Sequence, residues 1–274
     1  LGFIRTIILA RLLSPADFGL VGIALLVIYT FDSLSQTGFE SALIQKKEHS
    51  PALLNTAWTF LCLRSLVLFI LLFIAAPWIA QFFNMPPVEL ILKVIAISVV
   101  ISGFRNIGVI FFQKDLRFDQ GFKQEITATL IDLITSILLA FVLRSVWALV
   151  WGGLAGNITR LLMSYLLHEY RPRITFHVEK IKGLMGFGKW ILGSSIVYSA
   201  LVQIDSFTIG KLLGAADVGY YQMAMTFAFL PSTEISYLLS NITFPAYSLI
   251  QEDEHRLQSA YLDVLRLASA VCIP

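Results

Sequence analysis

The chain has 274 residues, of which 57% are hydrophobic and 14% charged; its formal net charge is +2 and its mean hydropathy +0.77. A soluble domain carries about 25% charged residues, so this composition excludes an ordinary water-soluble protein and indicates an integral membrane protein. The small net charge gives no reason to expect nucleic acid as a partner.

Apolar runs, interrupted by charged residues and by proline and glycine, predict about nine helices of membrane-spanning length. In chain order they are 1–11, 17–44, 53–80, 87–112, 122–143, 146–168, 188–211, 217–249 and 258–274. Pro231 is expected to kink the eighth helix. Because the chain begins and ends inside apolar runs, we expect the first helix to lack its beginning and the last its end. The expected fold class is an all-α polytopic membrane protein.

The loops between these helices alternate in basic charge, and this alternation predicts the orientation. Alternate loops carry Lys46, Lys47, Lys114, Arg117, Lys123, Arg171, Arg173, Lys180, Lys182, Lys189 and Arg256, whereas the others carry only Arg11, Arg144 and Lys211. Basic loops remain on the cytoplasmic side. The N-terminus is therefore expected in the cytoplasm, and so is the longest connection, an amphipathic interfacial linker at 169–187.

A nine-residue segment occurs twice, 200 residues apart. Arg11-Leu-Leu-Ser-Pro-Ala-Asp-Phe-Gly19 returns as Lys211-Leu-Leu-Gly-Ala-Ala-Asp-Val-Gly219, with five identical positions. Both copies precede an even-numbered helix, so Asp17 and Asp217 are expected to cap helices and the glycines to form a tight outer turn. Six helices separate the copies, which predicts two parallel halves related by an axis along the membrane normal. The halves are a first six-helix lobe at 1–168 and the start of a second at 188–274.

Two segments carry a resemblance to a known family. Ile8-Leu-Ala-Arg-Leu-Leu-Ser-Pro-Ala-Asp-Phe-Gly-Leu20 and Gly38-Phe-Glu-Ser-Ala-Leu-Ile-Gln45 resemble the opening of the polysaccharide transporters, the O-antigen and colanic acid exporters of the multidrug/oligosaccharidyl-lipid/polysaccharide (MOP) flippase superfamily. The resemblance implies two six-helix bundles around a central cationic cavity. It also implies a bacterial inner-membrane exporter, with no enzyme activity and no cofactor, that flips undecaprenyl-pyrophosphate-linked oligosaccharide by alternating access.

The charged residues within the predicted helices include Arg5, Arg64, Lys93, Arg105, Arg160, Arg266, Asp32, Glu40, Asp132, Asp205 and Glu234. A charge at the bilayer centre costs about 2.5–3.5 kcal/mol on insertion scales, so these side chains must pair, snorkel or line a wet cavity. Arg160 and Arg266 are near enough to helix ends to snorkel, and Lys93 is expected near the outer surface.

The remaining intramembrane charges suggest two roles. Arginine offers a planar fork of donors that matches phosphate oxygens, so Arg5, Arg64 and Arg105 are candidates for binding a pyrophosphate headgroup. Carboxylates in low dielectric exchange protons near neutral pH, so Asp32, Asp132, Asp205 and Glu234 are candidates for coupling to H⁺ or Na⁺. The alternative is that some of these residues form Arg–Asp pairs that fix helix packing.

Three further patterns are read as structural. The segment from Gly183 to Trp190 nearly matches the sequence motif of a phosphate-binding loop. Trp190, however, replaces the Ser or Thr that would hold magnesium, so nucleotide binding is rejected. Gly152 and Gly156 are expected to permit close helix packing. His168 and His177 lack other ligands at metal spacing, so we predict no metal site and expect both to be solvated.

Two other function classes compete with the flippase. A cationic-drug antiporter of the same superfamily would favour a cavity dominated by acids and aromatic residues, whereas this chain carries several arginines at depth. A membrane glycosyltransferase or polymerase would need a sizeable catalytic loop outside the lipid, and the predicted outer loops are short. A flippase for lipid-linked oligosaccharide is therefore the leading hypothesis.

Overall fold

The computed structural model describes residues 2–36, 43, 50–115, 117–175, 177–228, 243, 247 and 254–272. Every regular element in these ranges is a helix. The helices are α1 Gly2–Leu12, α2 Pro15–Leu34, α3 Pro51–Phe83, α4 Pro87–Ile95, α5 Ile97–Gly103, α6 Ile110–Lys114, α7 Phe118–Leu143, α8 Trp147–Leu167, α9 Val178–Leu212, α10 from 215 through 228, and α11 Glu254–Cys272. The all-α prediction is confirmed, and Pro231 lies outside the described residues.

Within the described residues, three helices are long and apolar enough to cross a membrane: α2, α3 and α7. Much of their apolar surface faces outward; Trp78 of α3 is 64% exposed and Val142 of α7 is 79% exposed. Large apolar side chains in such numbers on the outside suit a lipid environment and not water. The chain is an all-α membrane protein.

The helices form two compact units, Leu1–Gln222 and Met223–Pro274. In the first unit α7 packs along α8, α2 packs against α9 and α4, and α3 packs against α4 and α5. The main apolar core gathers side chains of α2, α3, α4 and α8, including the fully buried Ile23, Val88 and Leu92. In the second unit, exposed Arg266 and Asp263 pair on α11 at 3.4 Å.

The N-termini of α2 and α3 are capped by side chains, but the N-cap of α2 is a serine and not Asp17. Ser14 is the N-cap of α2, and Asp17 closes a capping box by accepting from the Ser14 backbone N–H at 3.0 Å and from its hydroxyl at 2.6 Å. Asp17 thus lies inside the first turn of α2 and does not precede the helix. Ser50 is the N-cap of α3, where its hydroxyl accepts from the Leu53 backbone N–H at 3.3 Å, with Pro51 in the first turn.

The predicted helix 87–112 is wrong as a single element. The chain bends at 104–106, between α5 and a 3₁₀ turn at Ile107–Val109. Asn106 causes the bend because its Oδ1 accepts from the backbone N–H of Gly108 at 2.9 Å, a local bond that competes with continued helix. Arg105, which was expected within a helix, therefore lies in a bend.

Two other predicted boundaries differ from the structure. Helix α2 ends at Leu34 and not at 44, because the chain turns at Ser35, whose backbone N–H donates to the Asp32 carbonyl at 3.1 Å. Helix α9 begins at Val178, ten residues before the predicted start. The second half of the predicted linker is therefore the first part of α9, a helix of 35 residues. The segment 183–190, which resembles a phosphate-binding loop, lies in the same helix.

Candidate functional site

Two arginine–aspartate clusters lie within the first unit, and each joins different helices. In the first, Arg64 of α3 meets Asp32 near the end of α2, with Nη2 at 2.5 Å from Oδ1. The Arg64 side chain is 18% exposed and the Asp32 side chain 43% exposed. The Arg64 side chain is therefore mostly buried, whereas the Asp32 carboxylate is accessible from outside.

Ser35 completes this first cluster, and sequence reasoning missed it. Arg64 donates to the Ser35 hydroxyl from Nε at 3.1 Å and from Nη2 at 2.8 Å, and it also donates to the Asp32 carbonyl at 2.8 Å. The signal was present in the chain, since Ser35 follows Asp32 by three residues, one helical turn. Arg64 thus binds the last turn of α2, where exposed carbonyls favour a cation.

The second cluster joins α1 and α7. Arg5 Nη2 lies 3.1 Å from Asp132 Oδ1, and both side chains are mostly covered, at 24% and 20% exposure. The Ser136 hydroxyl, fully buried, accepts from Arg5 at 3.2 and 3.3 Å and donates to Asp132 at 2.9 Å. All three polar groups are satisfied by one another, as a buried charge requires.

Two glycines of α8 make room for this cluster. A methyl group on Gly152 would lie 1.8 Å from the Ser136 hydroxyl oxygen, and one on Gly156 would lie 3.0 Å from Cβ of Asp132. The prediction that these glycines permit close helix packing is confirmed. Helix α8 thus forms the wall behind Asp132 and Ser136.

The other candidate residues lie elsewhere. Arg105 is half-buried, and its backbone carbonyl accepts from the Trp58 indole N–H at 3.0 Å. Asp205 is exposed on α9, where the Tyr221 hydroxyl donates to its Oδ2 at 2.9 Å. Glu234, like Glu40, lies outside the described residues. The structure therefore brings together four of the seven candidates, in two pairs.

Each pair joins one residue assigned to the headgroup with one assigned to ion coupling. An arginine bound by a carboxylate can still bind phosphate, because a phosphate oxygen competes for the same N–H donors. When such a ligand takes the guanidinium, the carboxylate loses its counter-charge. The arrangement can therefore exchange one partner for another.

Charged residues not assigned to function are also paired. Arg160, expected to snorkel, donates from Nε to Glu125 of α7 at 3.0 and 3.1 Å. Lys93 pairs with Glu89 one turn away at 2.6 Å and lies over the Phe73 ring at 5.1 Å. Both cationic side chains therefore pair with carboxylates of the protein.

The connection between α8 and α9 is fixed to the ends of other helices. Fully buried Asn106 donates to the Tyr170 carbonyl at 2.7 Å, and the Tyr170 hydroxyl donates to Asn55 Oδ1 at 2.7 Å. The backbone N–H of Thr175 donates to the Thr59 hydroxyl at 3.1 Å. Sequence reasoning missed these anchors because they join residues more than 60 positions apart.

His168 is part of this anchored connection, so the expectation that it is solvated is wrong. Its ring stacks on Phe111 at 5.8 Å between centroids, and its Nδ1 accepts from the Tyr170 backbone N–H at 3.0 Å. Burial lowers the pKa of His168, and the nearby Arg117 guanidinium lowers it further. His177 is exposed, as expected.

An open cavity of about 260 Å³ lies between α2 and α9. Its lining is mainly apolar, with Leu26, Ile204 and Phe207, and includes the polar Thr30 and Gln203. At one end of the same helix pair, the Ser33 hydroxyl donates to the Ser195 carbonyl at 2.8 Å.

Comparison with known proteins gives a consistent result. The family described as polysaccharide biosynthesis protein matches residues 8–274. The chain is 25% identical to the lipopolysaccharide biosynthesis protein WzxC of Escherichia coli and 24% identical to the succinoglycan biosynthesis transport protein ExoT of Rhizobium meliloti, in each case over 100% of this chain and 56% of the relative. It is 22% identical to the teichuronic acid biosynthesis protein TuaB of Bacillus subtilis, over 86% of this chain and 50% of that protein. The chain thus spans about half the length of these relatives. No solved structure matches.

Proposed function

The chain belongs to the polysaccharide biosynthesis protein family, and on that basis we propose that it acts in a flippase of the bacterial cytoplasmic membrane. Its cargo is an undecaprenyl-pyrophosphate-linked oligosaccharide destined for an envelope polysaccharide. The observation that carries the proposal is the family match over residues 8–274, together with relatives whose names specify polysaccharide biosynthesis and, for ExoT, transport. Arginines paired at depth with carboxylates add chemical support.

The headgroup chemistry assigns the two arginine–aspartate clusters a role. A pyrophosphate carries several oxygens that accept hydrogen bonds, and the Arg64 fork already binds three oxygen atoms, on Asp32 and Ser35. The open side of this cluster is the Asp32 carboxylate, 43% exposed. An incoming pyrophosphate exchanges with that carboxylate for the guanidinium. Arg5 offers a second such donor group, and Arg105 a third.

The carboxylates then supply the coupling. Once Arg64 has turned to the phosphate, Asp32 has lost its cation and takes up a proton or Na⁺. Asp132 behaves in the same way when Arg5 leaves it. Asp205 and Glu234 are further candidates for this role. Substrate binding and ion uptake are thereby linked at single residues, which is the differential interaction a coupled transporter needs.

The two proposed lobes account for the movement of substrate across the membrane. The first lobe is 1–168 and the second begins with α9 at Val178, with 169–177 as the cytoplasmic connection and the N-terminus in the cytoplasm. The repeated segments give the lobes the same orientation, and alternating access is their rocking about the bound headgroup. No covalent step is required, so the protein acts as a transporter and not as an enzyme.

The test is made in a strain whose copy of this gene has been deleted. Lipid-linked oligosaccharide is extracted and assigned to a membrane leaflet, with and without the restored gene. We expect accumulation on the cytoplasmic leaflet, rescue by the wild-type gene, and no rescue by Arg64→Gln. Arg160→Gln is the matched control because Arg160 is also paired with a carboxylate but is not assigned to the headgroup.

Two results would reject the proposal. One is a normal leaflet distribution in the deletion strain; if it were joined by altered sensitivity to cationic drugs, the multidrug antiporter would replace the flippase. The other is equal loss of rescue by Arg64→Gln and Arg160→Gln at equal membrane levels of protein, which would remove the headgroup role of Arg64.

A further inference from the structure

The open cavity between α2 and α9 follows one face of each helix. On α2 its lining residues are Leu26, Thr30 and Leu34, four residues apart, and on α9 they lie within 196–207 at steps of three and four. Residues at this spacing share one helix face. At 1.5 Å per residue, the α9 side of the cavity is about 16 Å long. The cavity is therefore an elongated groove along the helix pair, the α2–α9 groove.

The two helices touch at both ends of the α2–α9 groove and are apart between them. At one end the Ser33 hydroxyl donates to the Ser195 carbonyl at 2.8 Å, and the Ser195 hydroxyl donates to Gln36 Oε1 at 2.6 Å. At the other end a methyl group on Gly210 would lie 3.4 Å from Cδ1 of Ile23. Helices α2 and α9 are therefore antiparallel, and their contacts bound the groove at both ends.

The lining of the α2–α9 groove suits hydrocarbon. Six of its nine residues are apolar: Leu26, Leu34, Ile196, Ala200, Ile204 and Phe207. Ile204 is 58% exposed, so part of this lining is open to the surroundings. The volume of about 260 Å³ is below the about 300–1,000 Å³ of pockets that enclose a whole small molecule. The groove therefore fits a segment of an apolar chain and not an oligosaccharide, whose hydroxyls need many polar partners.

A cation lies beside the aromatic end of the α2–α9 groove. Phe207 packs against Phe82 and Phe83 of α3, each at 5.5 Å between ring centroids. Lys211 follows Phe207 by four residues and so continues the face of α9 that lines the groove. Its Nζ lies 4.3 Å from the centre of the Phe82 ring and donates to the Phe82 carbonyl at 2.5 Å. The groove thus ends next to a positive charge.

The Lys211 ammonium is available to an anion. Within the part of the chain that the structure describes, Arg5, Arg64 and Lys93 form ion pairs, but no ion pair involves Lys211. The residue is exposed, and its ammonium has three donors, of which the Phe82 carbonyl takes one. Lysine binds phosphate as a point charge. An apolar groove that ends at such a group matches a lipid with a phosphate headgroup.

The size of the α2–α9 groove favours a lipid with one chain. A volume of about 260 Å³ spread over a length of about 16 Å gives room for a single chain. A membrane phospholipid brings two acyl chains, and the second would remain outside. A polyisoprenoid carrier has one chain, joined directly to its phosphate groups.

We propose that the α2–α9 groove and Lys211 bind the lipid carrier of the transported unit, with a stretch of its isoprenoid chain in the groove and a phosphate oxygen on Lys211. The identity of this lipid rests on the proposed function, but its binding is measured without transport. The site is separate from the arginine–aspartate clusters, because Lys211 lies at the opposite end of the helix pair from Ser195 and the last turn of α2. In the proposed orientation that end is external, so the site holds the carrier after its headgroup has crossed.

The test is photo-cross-linking of the purified full-length protein in lipid nanodiscs. The probe is undecaprenyl pyrophosphate with a photoreactive diazirine in its isoprenoid chain, and mass spectrometry locates the label. We expect label on 26–34 and 196–207. Lys211→Gln should lower this labelling about fivefold, the effect of one cation near a membrane surface. Arg144→Gln is the matched control, because Arg144 is also exposed and predicted to be external but does not line the groove.

A second pair of variants tests the groove itself. Ala200→Trp places a large ring in the α2–α9 groove and should abolish the labelling there. Leu201→Trp is its control, because Leu201 is 69% exposed on the same helix and does not line the groove. If Ala200→Trp does not reach the membrane, the comparison of Lys211→Gln with Arg144→Gln decides alone.

Three results would overturn the proposal. The first is labelling of the groove that is equal or stronger with a photoreactive phosphatidylglycerol, which would assign it to ordinary membrane lipid. The second is the absence of label from the groove, as expected if another part of the chain covers it. The third is an equal effect of Lys211→Gln and Arg144→Gln. A deletion strain with a normal leaflet distribution would instead reject the flippase, while a labelled groove would still stand as a polyprenyl-lipid site.

Discussion

The guanidinium of Arg64 lies 2.5 Å from the carboxylate of Asp32 and also binds that residue's backbone carbonyl at 2.8 Å. One side chain of α3 therefore holds both the charge and the backbone of the last turn of α2. Removing either partner has two effects, a change in charge and a loosening of the helix end. Experiments on this pair must separate the two.

Asp32→Asn separates them, because the amide is nearly isosteric with the carboxylate but cannot take up a proton or Na⁺. We expect the variant to keep Arg64 in place and to flip substrate at a rate that no longer responds to an imposed H⁺ or Na⁺ gradient. The measurement is lipid-linked oligosaccharide flipping in inverted membrane vesicles with the gradient present or collapsed.

The control for this prediction is Asp263→Asn, which alters a pair on the exposed surface of α11. That variant should retain the wild-type response to the gradient. A gradient response in Asp32→Asn equal to that of the wild type would show that Asp32 only holds Arg64 and helix α2 together.

Gly152→Ala is expected to destabilise the protein through the second cluster. A methyl group there would lie 1.8 Å from the Ser136 hydroxyl, which bridges Arg5 and Asp132. Overpacking of this kind costs about 1–3 kcal/mol, and the apparent Tm in detergent should fall accordingly. In the neighbouring Gly153→Ala nothing lies within 4 Å of the added methyl group, so Tm should not fall and should rise slightly, because alanine favours a helix over glycine. Equal Tm values for the two variants would contradict the packing described for α8.

His168 should make stability depend on pH. Burial holds the pKa of His168 below its ordinary value, with Arg117 as a second cause, so the folded state binds the proton more weakly than the unfolded state. The free energy of unfolding should therefore be constant above about pH 6.5, the ordinary histidine pKa, and should decrease as the pH falls below it. Protonation of Nδ1 also removes its bond from the Tyr170 N–H. Apparent Tm measured in detergent from pH 7.5 to 5.5 checks this.

His168→Phe is the control for the pH effect. The variant keeps an aromatic ring against Phe111 and Phe112 but cannot titrate. Its Tm should fall less than the wild-type Tm over the same pH range. A wild-type slope that persists in full in His168→Phe would show that groups other than His168 cause the pH dependence.

Asn106→Leu should loosen the connection between α8 and α9. The Asn106 side chain is fully buried and bonds the Tyr170 carbonyl and the Gly108 N–H. Leaving a buried polar group unsatisfied costs about 1–3 kcal/mol. We expect faster amide hydrogen exchange at 168–175 and a lower Tm. Asn157→Leu is the control, since the Asn157 amide donates to the Gly153 carbonyl of its own helix; matching exchange in the two variants would contradict the anchoring role of Asn106.

Local chemistry explains which parts of this structure the sequence predicts. The length of the apolar runs predicts the helices. Gly152 and Gly156, four residues apart on one helix, predict that another helix packs closely against them. The bend at Arg105 was also signalled, by Asn106 between Gly103 and Gly108, but a helical pattern of apolar residues outweighed those turn residues. The pairing of Arg64 with Asp32, and of Arg5 with Asp132, depends on how distant helices pack. A list of intramembrane charges supplies the members of such pairs but not the partners.

Gly22 of α2 faces Gln222 of α10, its counterpart 200 residues later in the repeat, and a methyl group on Gly22 would lie 2.1 Å from Oε1 of Gln222. In a symmetric homodimer built from one copy of the repeat, a residue beside the two-fold axis would meet an identical residue. Two glycines would leave a gap there, and two glutamines would compete for the space that one now fills. Fusion of the copies into one polypeptide lets this place hold unlike residues. Covalent linkage thus permits a fit that selection on a symmetric dimer could not reach.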